Sequence, residues 1–305
     1  MFWSEYRAER ESFVQDLGHA FRNIGFVGIR NHGIDQDLVD RFYAAAKSFF
    51  SFPLEIKSKY EIPGLAGQRG YTSFGREHAK HSKVADLKEF FQIGQTVSGD
   101  DPIRQEYPDN IRTSDLPEFT GVGASLYKSF EASGSLLLRA IALDLGLDEH
   151  YFESRIHNGN SILRAIHYPP ILQEPDSAIR SEQHEDINLI TLLVGASAGG
   201  LQVLTKDGKW MDVLPGENEI VVNVGDMLQR LTNNVLKSTT HRVVNPPREL
   251  WHVPRLSIPF FLHPRSSMDL SCLPSCVTGD NPLHYDPITA GEYLDERLRE
   301  IGLKK

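Results

Sequence analysis

His184-Glu185-Asp186-Ile187-Asn188-Leu189-Ile190-Thr191-Leu192-Leu193-Val194 sets a histidine and a carboxylate two residues apart and then runs on through β-branched and apolar side chains. Residues 186–194 read as a buried strand, and positions i and i+2 of a strand share a face. The stretch therefore predicts that His184 and Asp186 deliver their side chains to one point from a single strand end. Further along, His241 opens a second strand-like run, Arg242-Val243-Val244-Asn245, which Pro246-Pro247 stops because proline cannot continue a central ladder. Arg255-Leu256-Ser257 repeats the i, i+2 arrangement at the start of a third run, Ile258-Pro259-Phe260-Phe261-Leu262.

Two imidazoles and one carboxylate form a facial triad, the donor set that holds iron(II) and leaves coordination positions open. His184, Asp186 and His241 are the candidate ligands. A guanidinium fork with a hydroxyl on the same strand face suits one end of a carboxylate-bearing ligand, which makes Arg255 and Ser257 its candidate anchors. Each piece alone has an ordinary reading: a chance His-x-Asp pair, a core histidine, an unremarkable Arg-x-Ser. Their order along one chain is the informative feature.

Around these residues the chain divides into a helical front and a strand-rich back. Apolar side chains at helical spacing predict helices over residues 12–21, 38–50 and 125–145, with a strand at 26–30 between the first two. Residues 64–81, rich in Gly, Ser, Lys and His, read as an irregular loop. Strands are expected at 162–168, 186–194, 200–205, 210–213, 219–224, 242–245 and 255–262, and a closing helix at 292–300. Lys206-Asp207-Gly208-Lys209 is a hairpin turn by its Asp-Gly pair. Asn223-Val224-Gly225-Asp226 is expected to turn the chain ahead of His241, with Asp226 as a competing fourth ligand; His252 is read as a loop or strand-edge histidine.

Composition narrows the classes. With 305 residues, 40% of them hydrophobic, the chain can bury a sizeable core, and β-rich folds of this length are often one domain. One domain over 1–305 is expected: a helix-rich flank at 1–155, a catalytic core at 156–265 and a C-terminal loop and helix at 266–305. A net charge of −9 disfavours nucleic-acid and anionic-membrane surfaces. Cys272 and Cys276 are too few for a disulfide framework and suit a reducing compartment. No apolar run reaches the length of a membrane span, and the first residues lack a secretory apolar core, so a cytoplasmic protein is expected.

The same residues carry a resemblance. His184-x-Asp186, His241 and Arg255-x-Ser257, with Gly199-Gly200-Leu201-Gln202-Val203 and Val222-Asn223-Val224-Gly225-Asp226 between them, resemble the isopenicillin-N-synthase-like group of non-haem iron(II), 2-oxoglutarate-dependent oxygenases. Upstream, Ile24-Gly25-Phe26-Val27-Gly28-Ile29-Arg30-Asn31-His32-Gly33-Ile34 and Asp86-Leu87-Lys88-Glu89-Phe90-Phe91 look like that group's N-terminal and mid-chain strands. The resemblance implies a double-stranded β-helix, a jelly roll with flanking helices, whose strands bring ligands from distant parts of the chain to one mouth. It implies iron(II) at the triad, 2-oxoglutarate as cosubstrate with its far carboxylate on Arg255 and Ser257, and dioxygen as oxidant. A small-molecule substrate would then be hydroxylated, desaturated or cyclised.

Several further positions carry two readings. Tyr168 touches the far carboxylate or merely lines the barrel, and Arg164 serves cosubstrate or substrate. His167 departs from the asparagine common near its position in the group. Arg69 and Tyr71, with the polar stretch through His78 and His81, fall where the group's substrate-facing loops lie; Phe261 is expected in the core. Two rival functions share the triad: an iron oxidase whose Arg-x-Ser pair holds the substrate's own carboxylate without 2-oxoglutarate, and a non-catalytic metal-binding jelly roll.

Overall fold

The computed structural model describes residues 7–65, 67–78, 84–97 and 99–300. His81 lies outside them. Eleven strands and seven helices are present among the described residues. The strands are β1 (Phe26–Arg30), β2 (Gly70–Thr72), β3 (Glu89–Gly94), β4 (Ile162–Tyr168), β5 (Ser181–His184), β6 (Ile190–Val194), β7 (Leu201–Leu204), β8 (Trp210–Asp212), β9 (Glu219–Val224), β10 (His241–Val243) and β11 (Arg255–Leu262). The helices are α1 (Arg7–Asn23), α2 (Gln36–Phe50), α3 (Leu54–Ser58), α4 (Pro117–Asp144), α5 (Glu153–Ile156), α6 (Asp226–Leu231) and α7 (Ala290–Glu300).

All the paired strands are antiparallel and form a seven-stranded sheet, β1-β9-β6-β11-β4-β3-β2, and a four-stranded sheet, β5-β10-β7-β8. This is the jelly roll. Residues opposite one another in a ladder share a face. The pairs Arg255–Tyr168, Ser257–Ile166 and Phe261–Ile162 therefore fix one face of the large sheet, and Leu256–His167 and Phe260–Leu163 the other. The second face is the helix-bearing one: Leu163, Leu192, Val222, Phe260 and Leu262 are buried in the main hydrophobic cluster with residues of α2 and α4. Phe260 stacks on Phe130 of α4 at 5.4 Å and meets Tyr127 edge-on at 5.0 Å. Between the two sheets the apolar contacts shrink to small groups, Phe90, Ile166, Tyr168, Leu201 and Val243 on one side and Phe26, Val203 and Val221 on the other. The space not filled there is the cavity.

Four expectations are corrected. The run at 186–194 is not one strand: β5 ends at His184, residues 185–189 are irregular, and β6 starts at Ile190. Asn188 explains the break, because its buried side chain donates to the Ile190 carbonyl and to Thr191 Oγ1 (2.9 and 3.0 Å), a local alternative to ladder bonding. The region read as a loop at 64–81 contains β2, which needs β3 beside it to form. The expected turn at 223–226 leads directly into the helix α6. The long helix starts at Pro117, well before residue 125, with proline at its first position, where its missing N–H costs nothing. The Asp-Gly hairpin is present, with Gly208 at φ 76°. No described helix is long and apolar enough to cross a membrane.

Candidate active site

A cavity of about 360 Å³ opens between the sheets, lined from the large sheet by the alternate residues of β11 and β4 identified above. His184, Asp186 and His241 meet in its wall, their ligand atoms all within 4.8 Å of one another. The two histidines are register partners at the β5–β10 edge, with ring centroids 4.4 Å apart. Asp186 reaches them from the irregular segment after β5, so the triad closes without the single strand the spacing suggested.

Each ligand is oriented by a second bond. His184 Nδ1 bonds the Glu182 carbonyl (2.7 Å) and His241 Nδ1 the Thr239 carbonyl (3.1 Å). A carbonyl only accepts, so each Nδ1 carries the proton and each Nε2 presents its lone pair to the centre. Asp186 Oδ1 lies 3.9 and 3.8 Å from those Nε2 atoms. Its Oδ2 accepts from Thr191 Oγ1 (2.6 Å) and Asn223 Nδ2 (2.7 Å). Burial pushes the His184 pKa down, and the neighbouring His241 adds to it, so the imidazole is held neutral, as a ligand must be. For Asp186, burial acts to raise the pKa; the two histidines and the bonds from Asn223 and Thr191 outweigh it and keep the carboxyl below its usual range. Three oriented lone-pair donors with nothing of opposite sign between them fit a divalent cation.

The floor of the cavity is electropositive. Arg255 is 2% exposed; its Nε donates to the Ala198 carbonyl (2.9 Å), while its Nη1 is buried with no partner. Arg180, equally buried, lies behind the lining near Tyr168, the guanidinium carbons of Arg255 and Arg180 lying 5.0 and 6.0 Å from that ring's centroid. Neither arginine forms an ion pair among the described residues. A buried guanidinium without a counter-ion is costly, and an incoming carboxylate removes the cost. Ser257 and Tyr168 line the cavity beside Arg255.

Another stretch of the cavity wall is polar but internally paired. Lys88 Nζ bonds Glu77 (2.7 Å), Asp86 (2.8 Å) and Ser181 Oγ (3.2 Å). Arg164 bonds Glu77 through Nη1 (3.3 Å) and Gln92 through Nε (3.1 Å), and its guanidinium stacks on Phe90 and Phe261, at 4.2 and 5.1 Å from their centroids. Burial works to raise the Glu77 pKa, yet Arg164 and Lys88 bring it down to about 2. His263 completes this side, buried, with an unpartnered Nδ1 and a pKa lowered by burial to about 4.

Of the residues singled out in the sequence, His184, Asp186, His241, Arg255, Ser257, Tyr168 and Arg164 all line this cavity. Phe261, expected in the core, is a cavity wall, because it lies in the Arg255–Ser257 phase of β11. Arg69 and Tyr71 are turned away from the cavity. Arg69 bonds the Gln68 carbonyl, Gln95 and Asn160, and the Tyr71 hydroxyl bonds Glu89 among aromatic rings of the core. His167 is likewise on the outer face of β4, stacked on Phe50 and bonded to Glu89 at 2.7 Å, so its departure from asparagine does not reach the cosubstrate end. His252 is exposed, and the Asp226 carboxylate stands outside the triad, bonded by the Tyr293 hydroxyl at 3.1 Å. Glu77, Lys88, Gln92, Thr191, Arg180 and His263 went unread in the sequence. Thr191 alone left a signal, as a polar residue in an otherwise apolar strand.

Known proteins resemble this chain over nearly its whole length. Residues 3–114 match the model of the N-terminal region of the non-haem dioxygenase in morphine synthesis, and residues 159–264 that of the 2OG-Fe(II) oxygenase superfamily. The chain is similar to a proline hydroxylase of Petromyces alliaceus, 36% identical over 97% of this chain and 96% of the relative. Among solved structures it is similar to a putative 2OG-Fe(II) oxygenase family protein from Caulobacter crescentus, with a TM-score of 0.88, 44% identity and coverage of 97% and 96% of the two chains. It is also similar to a full-length Neurospora crassa protein solved in complex with alpha-KG and thymine, with a TM-score of 0.84, 31% identity and coverage of 96% and 92%.

Proposed function

This chain belongs to the 2OG-Fe(II) oxygenase superfamily, and from that premise we propose that His184, Asp186 and His241 hold the iron, that Arg255 and Ser257 with Tyr168 beside them hold the far carboxylate of 2-oxoglutarate, and that Arg164 faces the substrate. The protein is a 2-oxoglutarate- and iron(II)-dependent oxygenase that uses dioxygen. Bound iron and cosubstrate supply the oxidising chemistry, in which 2-oxoglutarate is decarboxylated to succinate and carbon dioxide. The protein's own residues place the reactants. Thr191 and Asn223 occupy one oxygen of Asp186 and leave the other for metal; the Nδ1–H bonds set both imidazoles; and the apolar walls at Leu193, Leu201 and Val243 keep water from the cosubstrate end.

One observation carries the reading: Arg255, whose Nη1 is buried without a partner, lines the same cavity as the three converging ligand residues. A small organic substrate suits the enclosed volume, as thymine suits the Neurospora crassa protein, and the two free cysteines suit a reducing cytoplasm. The rival readings, an oxidase without 2-oxoglutarate and a non-catalytic metal-binding jelly roll, are not favoured, since the matched superfamily is one of 2OG-Fe(II) oxygenases and the Neurospora crassa protein binds alpha-KG. Alanine at His184, Asp186 or His241 is expected to abolish iron retention and turnover while the circular dichroism spectrum stays native. A variant that keeps its full iron content by metal analysis removes that residue from the set.

A further inference from the structure

The charged groups of the polar wall form one alternating chain, Asp86, Lys88, Glu77, Arg164, in which each cation touches an anion and the formal charges cancel. All four are largely withdrawn from water, with side-chain exposures of 5, 6, 11 and 16%. What this wall leaves unsatisfied is uncharged hydrogen bonding. Arg164 Nη2 bonds no described residue, and its guanidinium faces are covered by Phe90 and Phe261, so only its edge is available, as a donor. His263 Nδ1 is buried and unpartnered, and as a neutral imidazole it either donates or accepts. Phe261, next to the Arg164 guanidinium, lines the same cavity, as do Leu294 and Leu298 of α7. Arg297, also in the lining, pairs with Glu300, and the lining carboxylates Glu185 and Asp226 accept from the hydroxyls of Thr240 and Tyr293.

From this charge balance, and resting on the assignment of Arg164 to the substrate side above, we propose that the enzyme's substrate is an uncharged ring bearing an amide or imide edge, and not a carboxylic acid or an amine. A ring carbonyl accepts from Arg164 Nη2, a ring N–H or second carbonyl satisfies His263, and the ring face lies on Phe261. A carboxylate in the same place must either displace Glu77 from Arg164 or stand beside it, and each option leaves one anion unpaired in a desolvated wall. An amine meets the same problem with the opposite sign, against Lys88 and Arg164. The Arg255 end of the cavity differs: Arg255 lacks an anion, so acidic recognition belongs to the cosubstrate and neutral recognition to the substrate.

The test compares three six-membered rings, dihydrouracil, cyclohexanecarboxylate and piperidine, by calorimetry on anaerobic enzyme loaded with iron(II) and saturated with 2-oxoglutarate, so that the Arg255 end is filled. The wild type is expected to bind dihydrouracil at least about tenfold more tightly than either charged ring, the discrimination typical of a desolvated, paired site. Glu77→Gln leaves the wall one positive charge in excess and should gain about tenfold for cyclohexanecarboxylate; Arg164→Gln leaves it negative and should shift preference toward piperidine. Should a variant fail to bind iron, the wild-type order alone decides. Equal or tighter binding of the acid by the wild type, binding of none of the three rings, or folded variants that leave the order unchanged overturns the proposal. The visible absorption of the iron–2-oxoglutarate complex, recorded on the same samples, separates the two levels: its absence defeats the assignment of the site, whereas its presence with an acid-preferring wild type defeats only the substrate class.

Discussion

Asp186 divides its two oxygens between two tasks, and that division is the smallest unit of the site's design. Oδ2 is held by Thr191 and Asn223 from β6 and β9, two strands paired in register at that very position, and Oδ1 is left to the centre. His263 shows the other use of a buried polar group, kept neutral and unsatisfied. Its folded pKa is about 4 against an ordinary 6.5, so between those values the unfolded chain binds a proton that the folded one does not. Stability is therefore complete above about pH 6.5 and is lost as the pH falls toward 4, by about 3 kcal/mol in all, taking 1.36 kcal/mol per pH unit. Denaturant unfolding of metal-free protein at pH 7 and pH 4.5 should show this slope, and His263→Phe should flatten it; an equal slope in the variant would mean that His263 titrates normally. Spacing made the triad and Arg255-x-Ser257 legible, because repeated i, i+2 pairs at strand starts constrain direction. His263, Glu77 and Lys88 had no such pattern: each is a single polar residue whose meaning comes from partners far away in the chain.

At the scale of elements, α4 holds the helical layer against the large sheet, and its glycines separate packing from propensity. Gly121 faces open space, with nothing within 4 Å of where a Cβ would stand, whereas a Cβ on Gly123 would lie 2.3 Å from Ile93 Cδ1 and 2.8 Å from Phe42 Cε2. Gly121→Ala should therefore stabilise the protein by about 0.5–1 kcal/mol through helix propensity alone. Gly123→Ala, the same change on the packed side of the helix, should destabilise it by roughly 1–3 kcal/mol through overpacking between α2, α4 and β3. Thermal unfolding of both variants checks the pair, and two changes of the same sign would contradict the packing described. The strands β1, β4, β9 and β11 were legible to the residue because their apolar runs are bounded by glycine, proline or charge. β2 was not, since three residues show no period and the strand exists only because β3 offers a ladder. Residues 185–189 misled for the opposite reason, as Ile187 and Leu189 serve the core while the Asn188 side chain takes the backbone out of the sheet.

In the whole molecule, the helices bury the outer face of the seven-stranded sheet and leave the inner face to chemistry, where a cationic end at Arg255, the triad and a charge-balanced wall share one cavity. The jelly roll followed from the resemblance and the strand count, and the cationic end of the cavity was visible in Arg255, whereas Arg180, near Tyr168 behind it, was hidden in an uninformative loop. The far wall depends on three-dimensional pairing and could not be read from one dimension. The claim that unites these layers is that one cavity binds iron and 2-oxoglutarate together, and it is tested most directly by adding iron(II) and then 2-oxoglutarate to the anaerobic protein while recording the visible spectrum. The wild type should develop the charge-transfer absorption of a chelated keto acid, and Arg255→Ala should require tens to thousands of times more 2-oxoglutarate to reach it, the equivalent of roughly 2–5 kcal/mol for a buried carboxylate left unpaired, with iron affinity little changed. No absorption at saturating iron and cosubstrate, or an Arg255→Ala titration that overlays the wild type, would contradict the account.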